Sequence, residues 1–207
     1  DVNDSLHNTS IGEGAGDAIT TGIENVAVGY NALTANTTAN FNTALGRKSL
    51  LANTTGASNT AVGADSLIGN TTASNNTAIG YQAMHDNTTG GNNTAVGYAA
   101  LADHTTTNDN VAVGYFSMRY NTTGAQNTAV GKGSLQANTT GSYNLAIGDQ
   151  ALEANTTASS NTAVGQQALT ANTTGDSNVA VGGNSLDANT TGSNLVAVGR
   201  HALGANT

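Results

Sequence analysis

The sequence predicts an all-β fold, a parallel β-solenoid of twelve 17-residue coils. Three observations carry that prediction. A glycine recurs at Gly12, Gly29, Gly46, Gly63, Gly80, Gly97, Gly114, Gly131, Gly148, Gly165, Gly182 and Gly199, always at an interval of 17. The residue before it is Ile, Val or Leu in every unit, and the residue two places earlier is Thr, Val or Leu, a period-two pattern of strand formers. Each unit also carries an Asn-Thr-Thr segment or a close variant of it, which opposes helix formation.

The coils start at residues 8, 25, 42, 59, 76, 93, 110, 127, 144, 161, 178 and 195, so that 1–7 form an N-terminal lead-in and 8–207 the repeat array, its last coil incomplete. The consensus is N-T-A-V-G-x-x-A-L-x-A-N-T-T-G-x-x. Positions two and four, for example Thr77 and Ile79, share one face of a strand, and position three lies on the other. A second apolar column, Leu or Met from Leu33 to Leu203 at position nine, predicts a second short strand per coil. With positions two and four taken as pointing inward, the alanines at position three form a smooth outer strip. Ala61, Ala78, Ala95, Ala112 and Ala129 are its central members and the expected trimer-interface strip.

Identical residues stack from coil to coil. Asn opens eleven of the twelve coils and fills position twelve in ten, with Ile19 and His104 as the exceptions. Such Asn ladders link amides along a stack, and they let so polar a chain fold around a thin core. The same asparagines create Asn-x-Thr sequons at Asn36, Asn53, Asn70, Asn87, Asn121, Asn138, Asn155, Asn172 and Asn189. Glycans on successive coils, about 4.8 Å apart, would crowd, so the ladder reading is preferred.

Composition narrows the function. A formal charge of −8 argues against nucleic acid, which needs a basic face. The chain has no Cys, hence no disulfide or thiolate metal site, and no apolar run long enough to insert in a membrane as a helix. The four histidines, His7, His85, His104 and His201, follow no metal-ligand spacing, and no phosphate-loop motif occurs. With no insertion between coils there is no loop to build a pocket, so no catalytic residue, metal or cofactor is expected and the chain is read as a non-enzyme.

The strings Asn25-Val26-Ala27-Val28-Gly29-Tyr30-Asn31-Ala32-Leu33 and Asn93-Thr94-Ala95-Val96-Gly97-Tyr98 resemble two groups of repeats. One is the N-T-A-V-G-Y-x-A-L array of phage tail fibres and bacterial surface proteins; the other, related in pattern, is the head β-roll of trimeric autotransporter adhesins. The resemblance implies a homotrimeric fibre, extracellular on a virion or cell surface. It would serve as a rigid spacer and attachment rod, with a cell-surface glycan or receptor as partner.

One region departs from consensus. Tyr81, Tyr98 and Tyr115 fall at position six of successive coils, beside Phe116, while His85-Asp86, Asp103-His104 and Arg119-Tyr120 replace the usual residues nearby. Tyr81, Tyr98, Tyr115, Phe116 and Tyr120 are candidate ligand or subunit contacts, against the plainer reading of aromatic packing with drift at exposed positions. The alternative function is ice binding through an Asn-x-Thr array, typified by Asn87, Thr89, Asn121, Thr123, Asn138 and Thr140. A third is a subunit of a self-assembling extracellular filament.

Overall fold

The computed structural model describes residues 2–3 and 6–205. The chain divides into two units, Asp1–Asn108 and Asp109–Thr207. The first holds β1 (Val2–Asn3), β2 (Asn8–Ile11), β3 (Val26–Val28), β4 (Thr43–Leu45), β5 (Thr60–Val62), β6 (Thr77–Ile79) and β7 (Thr94–Val96). The second holds β8 (Val111–Val113), β9 (Thr128–Val130), β10 (Leu145–Ile147), β11 (Thr162–Val164), β12 (Val179–Val181) and β13 (Val196–Val198). Within each unit neighbouring coil strands pair in parallel and in a register of one coil, as in Thr43↔Thr60, Ala44↔Ala61 and Leu45↔Val62. The lead-in strand β1 is the exception, pairing antiparallel to β2. The fold is thus a parallel β-solenoid with a 17-residue coil.

Each coil contributes one strand, not the two expected. Position nine lies in a turn: Leu33, Leu50, Leu67, Met84, Leu101, Met118 and Leu135 all have φ between 50 and 53 or slightly below, Leu67 reaching 48. Position seven is also left-handed, as at Asp65 (φ 57) and Phe116 (φ 55), so the backbone turns twice within three residues. A non-Gly residue there costs about 1–3 kcal/mol, and it persists because its surroundings over-determine it. The N–H of Leu135 donates to the carbonyl of Ala151 in the next coil at 2.9 Å, and the Leu135 side chain is fully buried. Burying a leucine contributes about 1.5–3 kcal/mol, enough to offset the turn.

The strand faces are also reversed from expectation. Ala61, Ala78, Ala95, Ala112 and Ala129 are 0% exposed in the single chain and line the interior, so they form no outer strip. Alternation fixes only that positions two and four oppose position three. A 17-residue coil encloses so little space that the leucine of position nine leaves room for no more than alanine on the strand. The larger β-branched residues therefore face outward, where coil-to-coil stacking packs them side by side.

The recurring glycine ends the strand and lets coils approach. At Gly114 φ is +136, and a Cβ there would stand 2.5 Å from the carbonyl oxygen of Gly131. That oxygen is backbone and cannot yield, so no other residue fits.

Candidate functional surfaces

The interior asparagines form two ladders that meet on one carbonyl. At position one, the Asn42 backbone N–H donates to Asn25 Oδ1 at 3.0 Å, and Asn42 Nδ2 donates across its own coil to the Gly56 carbonyl at 2.9 Å. At position twelve, Asn53 Nδ2 donates to Asn36 Oδ1 at 3.0 Å and to the same Gly56 carbonyl at 2.9 Å. The pattern repeats around Gly141, which accepts from Asn127 Nδ2 at 2.8 Å and Asn138 Nδ2 at 2.9 Å. Coils built this way are cross-strapped through their middle, and most of their buried amides find partners in their own coil and the coils beside it; Asn161 Nδ2 is an exception, buried without a partner.

Asn36, Asn53, Asn70, Asn87, Asn121, Asn138, Asn155, Asn172 and Asn189 are all 0% exposed. Their amides are therefore closed to glycosylation in the folded chain. The same burial breaks up the expected Asn-x-Thr array: Asn87, Asn121 and Asn138 point inward, while Thr89, Thr123 and Thr140 are exposed. The threonine before each of these serves the stack, as Thr88 Oγ1 donates to the Thr105 carbonyl at 2.9 Å. The outward array is thus a column of single threonines at position fourteen in each unit, exposed from Thr21 to Thr106 in the first and from Thr123 to Thr191 in the second.

His104 interrupts the second ladder. It is fully buried where its neighbours carry Asn. Its Nε2 lies 3.2 Å from Asn93 Nδ2 and its Nδ1 2.9 Å from Thr107 Oγ1. Because an amide nitrogen only donates, Nε2 accepts and the proton sits on Nδ1. Nε2 then has no proton to offer the preceding coil, and Asn87 Oδ1 is left buried without a hydrogen-bond partner. Burial pulls the His104 pKa from 6.5 down to about 4, against a smaller upward pull from the Thr107 backbone. His85 and Asp86 pair on the surface at 2.5 Å, away from any such interior role. Among the described residues no group of three or more His, Asp or Glu side chains could hold a metal ion.

Aromatic rings meet within each unit. In the first unit Tyr81 and Tyr98 stack with ring centroids 5.5 Å apart and 28° between planes, both exposed. In the second unit Tyr115 and Phe116 meet at 4.1 Å with rings tilted by 46°. Arg119, which the sequence did not single out as a contact, joins them: its guanidinium carbon lies 4.4 Å from the Phe116 centroid and 5.1 Å from that of Tyr120. The left-handed residue at Phe116 turns its ring back toward position ten, which places Arg119 on it.

Positions two and four put aliphatic side chains on the outside of each unit. In the first unit Ile11, Leu45 and Ile79 are 61%, 45% and 40% exposed. In the second, Ile147, Val181 and Val198 are 39%, 37% and 70% exposed, each beside the outward Leu145, Val179 or Val196 of its own strand. No protein-family model, curated protein or solved structure matches the chain.

Proposed function

We propose that the chain is a segment of a homo-oligomeric extracellular fibre, in which outward strand faces of identical copies pack on one another. The observation that carries this reading is the aliphatic row at position four in each unit, in which Ile11, Leu45, Ile79, Ile147, Val181 and Val198 are exposed and the valines between them half-buried. Contiguous apolar surface of this kind marks an interaction site. A partner must match a row whose side chains recur every ~4.8 Å, and another copy of the same chain has that spacing by construction. Three copies is the number that the resemblance of the Asn93–Tyr98 string implies. The role would be that of a spacer and attachment rod on a virion or cell surface, many copies adding avidity. The unbroken 17-residue spacing supports a role without catalysis.

Sedimentation velocity tests it. The expected result is a trimer that Ile79→Lys or Ile147→Lys converts to monomers of unchanged circular dichroism. A wild-type monomer at micromolar concentration refutes the proposal.

A second reading, ice binding, draws on the exposed threonine column at position fourteen. Within each unit these hydroxyls, in equivalent backbone settings, would present a regular row to water. Thermal hysteresis lost on Thr89→Tyr and Thr123→Tyr would support it, and ordinary freezing behaviour of the wild type would end it.

A further inference from the structure

The second unit carries an aromatic and cationic cluster that neither strand packing nor the Asn ladders require. Residues 110–143 contain Arg119 and Lys132 and no Asp or Glu, within a chain of net charge −8. Tyr115 and Tyr120 are 47% and 40% exposed. The Arg119 guanidinium is held against Phe116 and Tyr120. None of its nitrogens has a hydrogen-bond or ion-pair partner among the described residues, and only Nε is both sealed from solvent and unpartnered. Arg47, by contrast, is neutralised by Asp65 at 2.5 Å. In the next coil the Gly133 N–H donates to the Tyr115 carbonyl at 2.9 Å, and the space beside Gly133 is lined by Gln136, Gln150 and Glu153. The residue before Gly133, Lys132, is exposed.

We propose that Tyr115, Phe116, Arg119, Tyr120 and Lys132 form a binding site for a carboxylated sugar, a hexuronate within an acidic glycan. With its faces engaged by the rings, Arg119 keeps its terminal N–H groups for a ligand. Their planar fork matches a carboxylate in bidentate fashion. The partly exposed ring of Tyr120 suits the C–H face of a pyranose ring. Lys132 adds a second positive charge one coil away, at the reach of a neighbouring acidic residue in the same glycan.

This inference names a ligand for the attachment role proposed above and rests on that reading for its biological sense, but not for its test. The full chain is titrated with tetragalacturonate, its methyl ester serving as the uncharged control, and followed by calorimetry and tyrosine fluorescence. Binding of the acid with at least about tenfold preference over the ester is expected, the worth of one charge-assisted bidentate pair. Arg119→Lys, which keeps the charge and removes the fork, should weaken binding by a similar factor, whereas Arg200→Gln should leave it unchanged. Equal binding of acid and ester overturns the proposal, as does undiminished binding by Arg119→Lys and Arg119→Gln, or no binding at millimolar tetragalacturonate. A sulfated glycan of equal charge binding as tightly overturns the assignment to a carboxylate. The site lies past the strand, off the outward face of positions two and four. A chain that sediments as a monomer yet binds the sugar therefore loses the assembly reading alone, and an assembled chain that ignores the sugar loses this one alone.

Discussion

Replacing His104 together with its partner, as His104→Asn with Thr107→Gly, should rebuild the strap found in the other coils and stabilise the protein, more so in acid. In the wild type Asn87 Oδ1 is buried without a partner, and the imidazole facing it has its proton on the far nitrogen. An unsatisfied buried acceptor costs about 1–3 kcal/mol. An asparagine at 104 would supply the missing donor, as Asn87 Nδ2 does to Asn70 Oδ1 at 2.8 Å. After allowance for lost ring packing, a gain of about 1 kcal/mol at pH 7.5 is expected. The pH dependence follows from the lowered pKa, 6.5 when unfolded and about 4 when folded. Between those values the unfolded chain binds a proton that the folded chain refuses. The contribution is complete above pH 6.5 and is lost as pH falls toward 4, at up to about 1.4 kcal/mol per pH unit. By pH 4.5 the double variant should lead the wild type by about 2–3 kcal/mol more than at pH 7.5. Urea denaturation of both proteins at the two pH values, followed by circular dichroism, measures this directly, and subtracting the two removes the common titration of carboxylates. An identical stability difference at both pH values would refute the argument that burial holds His104 neutral.

Other interior changes should be costly in distinguishable ways. Asn138→Asp replaces an amide that donates to Asn121 Oδ1 at 2.7 Å and to the Gly141 carbonyl at 2.9 Å with a buried group that cannot do both. A loss of about 3 kcal/mol or more is expected by thermal denaturation at neutral pH, easing as the pH falls and the carboxyl is protonated. Gly114→Ala places a methyl against the Gly131 carbonyl at a φ of +136, so the backbone conformation alone should cost about 1–3 kcal/mol and the clash should add to it, read as a fall in Tm. Leu169→Ala removes a fully buried side chain, and about 2–5 kcal/mol should be lost in chemical denaturation. Expression in a glycosylating secretory host should leave Asn87 and Asn138 unmodified in folded protein, as mass spectrometry of tryptic peptides would report.

The coil length and the strand position were legible because both rest on strict spacing: Gly12 to Gly199 mark every coil, and a triplet of Thr, Val or Leu, then Ala or Ser, then Val, Ile or Leu precedes each. The Asn ladders were legible because a buried amide tolerates little substitution. Orientation was not. The pattern at Thr60, Ala61 and Val62 says which residues share a face, and only the narrowness of the coil decides that Ala61 goes inside. The second strand was misread because Leu67 looks like any other apolar strand residue; its left-handed backbone is imposed by hydrogen bonds to the next coil, and local propensity argues against it. Arg119 stood out as a departure from consensus but not as a contact, for a related reason. Two residues separate it from Phe116, a spacing that means little in an extended chain and brings them together only across a tight double turn.

The shared carbonyl at position fifteen has an evolutionary consequence. Because Asn42 and Asn53 both anchor on Gly56, the arc between them and the arc closing the coil are each of fixed length. Adding or deleting one residue would unhook a strap, offset the ladders on both sides and break the strand register together. Gains and losses of length are therefore tolerable only in whole coils, by duplication or excision of 17-residue blocks. Lineages carrying such a chain would differ in reach by discrete steps, like rulers cut at different graduations.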